Sequence, residues 1–309
     1  MILLKTILKE VLSSPKAIIL AGGAGSGKSY IIKNYLGNLK NDVFIPKNSN
    51  VKFKYLNPDD IVEKEDLPLG SAMKAFREKF DDVKKQKENI IWDTTGANIS
   101  NTINKTSGYD RFMVMVYTHP IISILQNVKR DRVIPFKAII KIWSQVYNNV
   151  EDYKLKFKGN FFIINNEIPG YEKDIEAFNK SLQDGKDSLE QYLTQLTQTN
   201  PEQFKSTFDK PFNFKDKNTE INFTKALALT SYNEEQDVKI FKDLQKEFEK
   251  DETIDLEKKI KSLRNNEGKN LQHYGKALED IIKILREFKH IKFSSKEEVQ
   301  NKLKIWAES

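Results

Sequence analysis

Five short apolar runs punctuate the first 170 residues, and helical periodicity fills the intervals between them. "AIILA" (17–21), "KFKYL" (52–56), "NIIWD" (89–93), "RFMVMVY" (111–117) and "NFFIIN" (160–165) have the length and the β-branched or aromatic content of strands. Residues 71–88, 119–130 and 136–157 instead repeat apolar positions at helical spacing. Strands alternating with helices predict an α/β domain over residues 1–170, with a five-stranded parallel sheet flanked by helices. Residues 1–12 read as an amphipathic helix, their apolar positions interrupted by Lys5 and Lys9. After "NNEIPGYE" strand-like runs nearly vanish. Residues 187–196, 234–250, 256–264, 271–290 and 295–307 read as helices, 209–218 as a loop, and "KDETIDLEKK" as a helix junction. No fixed-period repeat is present, so residues 171–309 are expected to form an irregular, mainly α-helical accessory domain.

The first strand runs into "AGGAGSGKSY" (21–30), where four of the chain's 13 glycines fall within six residues. Gly22, Gly27, Lys28 and Ser29 satisfy G-x-x-x-x-G-K-[ST], the phosphate-binding loop. A strand must deliver such a loop and a helix must follow it, and "KSYIIKNYL" supplies the helix. The residue types suit the chemistry. Glycines let backbone N–H groups converge on phosphate oxygens without side chains in the way, and the helix adds its positive end. The expected nucleotide contacts are Gly22, Gly23, Ala24, Gly25, Ser26, Gly27, Lys28, Ser29 and Tyr30. Lys28 would reach the phosphates and Ser29 a Mg²⁺ ion. The rings of Tyr30 and Tyr35 are expected to pack, not to stack on a base. Trp143, in an apolar helix with Ile139, Ile140 and Val146, is expected in the core.

Three further stretches choose among the uses of such a loop. "LNPDDI" (56–61) places Asp59 and Asp60 at the carboxyl edge of the sheet, where ligands of open α/β folds bind. A carboxylate there can take the proton of an attacking hydroxyl; alternatively Asp59 caps a helix and Asp60 is solvated. "IIWDTTG" (90–96) ends a strand in Asp93, placed to hold Mg²⁺ through water. Thr94, Thr95 and Gly96 form a polar turn beside the acceptor. Asp93 could instead exchange roles with Asp59, or cap its loop. "NVKRDRVIP" (127–135) gathers Lys129, Arg130 and Arg132 between two helices, as a basic lid for a transferring phosphoryl group or as a solvated turn.

Composition narrows the chemistry. The chain has no cysteine and three scattered histidines, which excludes disulfides, thiolate catalysis and sulfur-based zinc sites, and leaves oxygen ligands for any metal. Charge is uneven. Residues 1–170 hold 26 Lys and Arg against 17 Asp and Glu, or +9, and the remainder 25 against 27, or −2, so the basic half is the one with the glycine loop. No apolar run reaches membrane-spanning length, and a cytoplasmic location is expected.

With these motifs in order, the first 170 residues resemble P-loop kinases of the zeta-toxin and phage polynucleotide-kinase-like group. The resemblance rests on "GGAGSGKS", "LNPDDI", "IIWDTTG" and the run from "KRDRVIPFKAII" to "FFIINN". It implies a kinase core, ATP and Mg²⁺ as cofactors, and γ-phosphoryl transfer to a hydroxyl. Asp59 falls at the position of the family's catalytic base, and Arg130 and Arg132 at the lid. Val62 stands where these kinases usually carry a basic residue, with Lys64 nearby. The leading expectation is a nucleic acid or nucleotide acceptor, such as a 5′-hydroxyl or a hydroxymethylated base. The alternatives are a nucleotide sugar or other small molecule, and a non-catalytic, nucleotide-gated binding module whose helical half engages a protein partner or a second copy.

Overall fold

The computed structural model describes residues 14–60, 69–128, 136–185, 188–189, 191–193 and 267–309. Among them the chain runs through β1 (Lys16–Ala21), α1 (Lys28–Ile31), β2 (Gly37–Lys40), β3 (Val43–Pro46), β4 (Phe53–Leu56), α2 (Leu69–Lys85), β5 (Ile90–Asp93), α3 (Ile99–Lys105) and β6 (Asp110–Tyr117). It continues with α4 (Pro120–Val128), α5 (Phe136–Asn148), α6 (Val150–Phe157), β7 (Phe161–Asn165), α7 (Glu172–Gln183), α8 (Glu267–Phe288) and α9 (Lys296–Glu308).

Seven strands form one sheet in the order β2-β3-β4-β5-β1-β6-β7. The five expected strands are its parallel part, β4 to β7 through the central β1. The expected count of five is corrected by the edge hairpin β2–β3, which pairs antiparallel with itself and with β4. Its turn is Asn41–Asp42, both at positive φ (51° and 58°), directly between the paired Lys40 and Val43. That is the twist a two-residue hairpin requires. The hairpin begins early because α1 lasts four residues and then widens into a π-turn, Ile32–Leu36, that ends at Gly37.

Alternation along the strands divides the core into two layers. Ala17, Ile19 and Ala21 of β1, with Met113, Met115 and Tyr117 of β6, face a cluster built with α2, α5, α6 and α8. Ile18 and Leu20, with Phe112, Val114 and Val116, face Ile31, Ile32 and Leu36 on one side and Val299, Leu303 and Trp306 of α9 on the other. Burial on both faces explains why these strands read as continuous apolar runs. Trp143 is fully buried, as expected. The two closing helices thus complete both faces of the sheet, and packing does not stop at residue 170.

The expected helix over 136–157 is two helices broken at Asn149. The break has a purpose in the fold: Asn149 Nδ2 donates to the carbonyls of Gly96 (3.3 Å) and Ala97 (2.9 Å), pinning the loop after β5. The expected helices 234–250 and 256–264, the loop 209–218, the helix 1–12, and Val62, Lys64, Lys129, Arg130 and Arg132 lie outside the described residues.

Candidate active site

The loop between β1 and α1 closes on itself and on three neighbours. Ser26 N donates to Gly23 O (3.1 Å), and Tyr30 N and Ile31 N donate to Gly27 O. The Ser26 carbonyl in turn accepts from Thr118 Oγ1 and from Asn166 Nδ2, both at 2.9 Å and both buried. Gly25 and Gly27 sit at φ +74° and +82°, where a Cβ would collide with the Ser123 carbonyl and the Asn166 amide respectively. The loop therefore packs too closely on α4 and on the residue after β7 to carry side chains there. The Ser26 hydroxyl is buried inside it without a hydrogen-bond partner.

The carboxyl end of β5 meets this loop. Gly22 N donates to Thr95 O (3.1 Å), and Thr94 N to Leu20 O (3.0 Å). Gly96, at φ +71°, lies so near β1 that a Cβ would sit 2.9 Å from that of Ala21, and its carbonyl accepts from Tyr153 Oη (2.9 Å). The Thr94–Gly96 turn is thus tied to the mouth of the central strand. Thr95 lines the cavity described below.

Lys28 Nζ bends back over the loop, donating to Gly22 O (2.9 Å), and stands 3.7 Å from Asp93 Oδ1. Asp93 is 6% exposed, and its other oxygen accepts from Tyr55 Oη (3.1 Å). Burial raises its pKa, opposed by Lys28 and the tyrosine hydroxyl and reinforced by Asp59 and Asp60. Burial and the neighbouring acids likewise push the Tyr55 phenol well up, so it stays a donor to Asp93.

Asn57 organises the second acid pair. Its side-chain oxygen accepts from Asp59 N (3.0 Å), while Nδ2 reaches Asp60 Oδ1 (2.9 Å) and Tyr55 Oη (3.2 Å). The capping role considered for Asp59 belongs to Asn57. Tyr55 and Asn57 were not singled out in the sequence. Their signal was the strand alternation that points Phe53 and Tyr55 to one face, with a hydroxyl at the strand's end.

Lys28, Asp93, Thr95, Asp59 and Asp60 all line one cavity of about 1100 Å³. One wing of it is formed by Gln126, Ile142, Asn166, Glu167, Ile168 and Pro169, the other by Tyr30, Lys33, Tyr35, Leu39, Asn41 and Lys296. Tyr30 packs on Tyr35 as expected, yet the residue remains 52% exposed at the cavity. The exposed Ser29 also lines it. The donor set of one buried carboxylate and one hydroxyl beside a glycine-rich loop fits Mg²⁺ shared with a nucleotide's phosphates, since Mg²⁺ keeps most of its shell as water and phosphate. Among the described residues no group of three or more acids or histidines gathers to hold a metal ion.

A mainly parallel sheet with its phosphate loop after the central strand, a lysine on that loop and a buried acid ending the neighbouring strand define a P-loop nucleotide-binding fold. The family model for zeta toxin matches residues 3–167, more than half of the chain, and the chain belongs to that family. Zeta-toxin domains are P-loop kinases, so ATP-dependent kinase-type activity follows at the level of the class. No curated protein matches the sequence. No helix among the described residues is long and apolar enough to cross a membrane.

Proposed function

We propose that the protein transfers the γ-phosphoryl group of ATP to a hydroxyl of a nucleotide or nucleic acid, with Asp59 as general base. The observation that carries this reading is that the glycine loop, Lys28, Asp93 and the Asp59–Asp60 pair share one cavity. Mg²⁺·ATP, when bound, supplies the phosphoryl group and offsets its charge. Ser29 and Asp93 would hold the metal, and Lys28 would exchange the Gly22 carbonyl for phosphate oxygens. The wing with Ile142, Ile168 and Pro169 offers apolar walls for a base.

Burial favours Asp59 over Asp93 for the proton. Asp93 is enclosed and engaged with Tyr55 and Lys28, whereas Asp59 is exposed toward the cavity. The basic lid of Arg130 and Arg132 belongs to the same proposal, as does the basic half of the chain as a surface for polyanions. A second acceptor class, a nucleotide sugar or other small molecule, is equally compatible with the zeta-toxin family.

Labelled ATP incubated with DNA, RNA, nucleotides and nucleotide sugars tests the reading through the product that carries the label. Asp59→Asn should lower turnover about 10²- to 10⁴-fold, the contribution of a positioned base, with ATP affinity retained. Unchanged turnover in that variant would remove Asp59 from the role, and a biological activity that persists without phosphoryl transfer would favour the nucleotide-gated module.

A further inference from the structure

The last helix, α9, lies beyond the zeta-toxin match, yet it delivers a cation to the site cavity. Ser295 caps it, its hydroxyl accepting from Glu298 N (3.0 Å), and Lys296 follows as the first helical residue. A lysine in a first turn opposes the helix dipole, so helix stability does not account for it. Its Nζ rests 4.2 Å from the centre of the Tyr35 ring, and Lys296 is half-buried there. Tyr35 in turn meets Tyr30 edge to face, ring centres 5.7 Å apart, with their hydroxyls at 3.4 Å. Lys33 stands between these two tyrosines in sequence, exposed and lining the same cavity.

Neither Lys33 nor Lys296 forms an ion pair among the described residues, although Asp42, Asp59 and Asp60 line the cavity too. An aromatic ring orients an ammonium group without neutralising it. An ammonium group so held, with the exposed Lys33 lining the same cavity, suits an anion carried by a bound molecule. We infer that Lys296 and Lys33 form an anion subsite in the wing of the cavity lined by Tyr30 and Tyr35, and that this subsite holds a phosphate ester of the molecule whose hydroxyl is phosphorylated. The inference rests on the kinase reading and narrows its acceptor to a phosphorylated compound, either a phosphodiester of a polynucleotide or a small phosphate ester. Lysine suits this task as a point charge that does not demand one orientation of the phosphate.

The test fills the glycine loop first. The full chain is loaded with Mg²⁺ and a non-hydrolysable ATP analogue, and uptake of labelled pyrophosphate is then measured by equilibrium dialysis. Saturable uptake is expected, weakened about tenfold in Lys296→Ala and in Lys33→Ala, as loss of one charge-assisted contact predicts, and kept in Lys296→Arg. Affinity for the analogue should be the same in all four proteins. No saturable uptake by the loaded wild type, or uptake unaltered in the double alanine variant of unchanged melting temperature, overturns the subsite. Failure of the wild type to bind the analogue at all would instead overturn the kinase reading. Competition separates the sources: displacement by a 5′-hydroxyl decathymidylate and not by thymidine 3′-monophosphate supports a polynucleotide, the converse a small ester. Displacement by neither counts against a phosphate-ester acceptor.

Discussion

Asp93 holds a carboxylate where the fold penalises charge, and what it gains from Lys28 and Tyr55 does not offset burial. Its pKa is raised, so between the ordinary carboxylate value and the raised one the folded state binds more protons than the unfolded. Stability contributed by this group therefore falls as pH rises through that window. Asp93→Asn keeps a hydrogen-bond acceptor for Tyr55 and removes the charge. The nucleotide-free variant should melt above the wild type at neutral pH, the gain shrinking toward pH 4, while turnover with Mg²⁺·ATP collapses. Thermal melts across that range check it, and a variant that melts lower at pH 7 would show that the Lys28 pair outweighs burial. Such a carboxylate, costly to stability and retained beside a phosphate loop, is what a function-bearing residue looks like.

The helix α4 shows the same coupling of local structure to the site. His119 precedes Pro120, its carbonyl accepts from Ser123 N (3.1 Å), and Nδ1 accepts from Ile121 N (3.4 Å), so the neutral imidazole caps the helix whose Ser123 carbonyl crowds Gly25. Burial lowers its pKa to about 4, with Asn179 of α7 working the other way, and the ring lies edge-on against Phe178. The unfolded chain binds the proton near pH 6.5, so the stability given by a neutral His119 is complete above that pH and is lost as pH falls toward 4. The loss is on the order of 3 kcal/mol. His119→Asn preserves the cap and should flatten that part of the pH–stability curve in urea titrations. A wild-type slope retained in the variant would assign the loss to other groups. The parallel strands and the phosphate loop were legible because each is written in contiguous residues: apolar runs of five, and glycines at fixed spacing before Lys-Ser. The β2–β3 hairpin was not, because "GNLKNDVFIP" alternates over only four residues a side, though Asn41–Asp42 carried its turn. Lys296 as cavity residue depends on a contact made across the fold, which local pattern does not encode, whereas the Asn57 cap is a local contact with Asp59 N that the sequence reading shifted to Asp59.

Chain closure ties the far end of the sequence to the strand that feeds the phosphate loop. Lys16, the first residue of β1, donates to Trp306 O (2.6 Å) and Ser309 Oγ (3.1 Å), answering a carbonyl and a hydroxyl at the end of α9 with a cation, as a helix terminus favours. Burial lowers the Lys16 pKa, partly opposed by Asp110. Trp306 itself stacks on Phe53 of β4 (6.1 Å) and packs on Phe112 of β6 (5.2 Å), filling the face of the sheet that α1 leaves open. If α9 is an integral wall of the kinase core, Trp306→Ala should cost about 3–5 kcal/mol, as truncation of a buried tryptophan does elsewhere. Urea unfolding of the full chain would read this as a lower midpoint in one cooperative transition. A loss below about 1 kcal/mol, or a separate early transition belonging to the last helices, would show that α9 docks on a core already complete. The same variant bears on the site, since α9 carries Lys296: a core that stays folded but sheds its last helix should lose pyrophosphate uptake while the ATP analogue still binds.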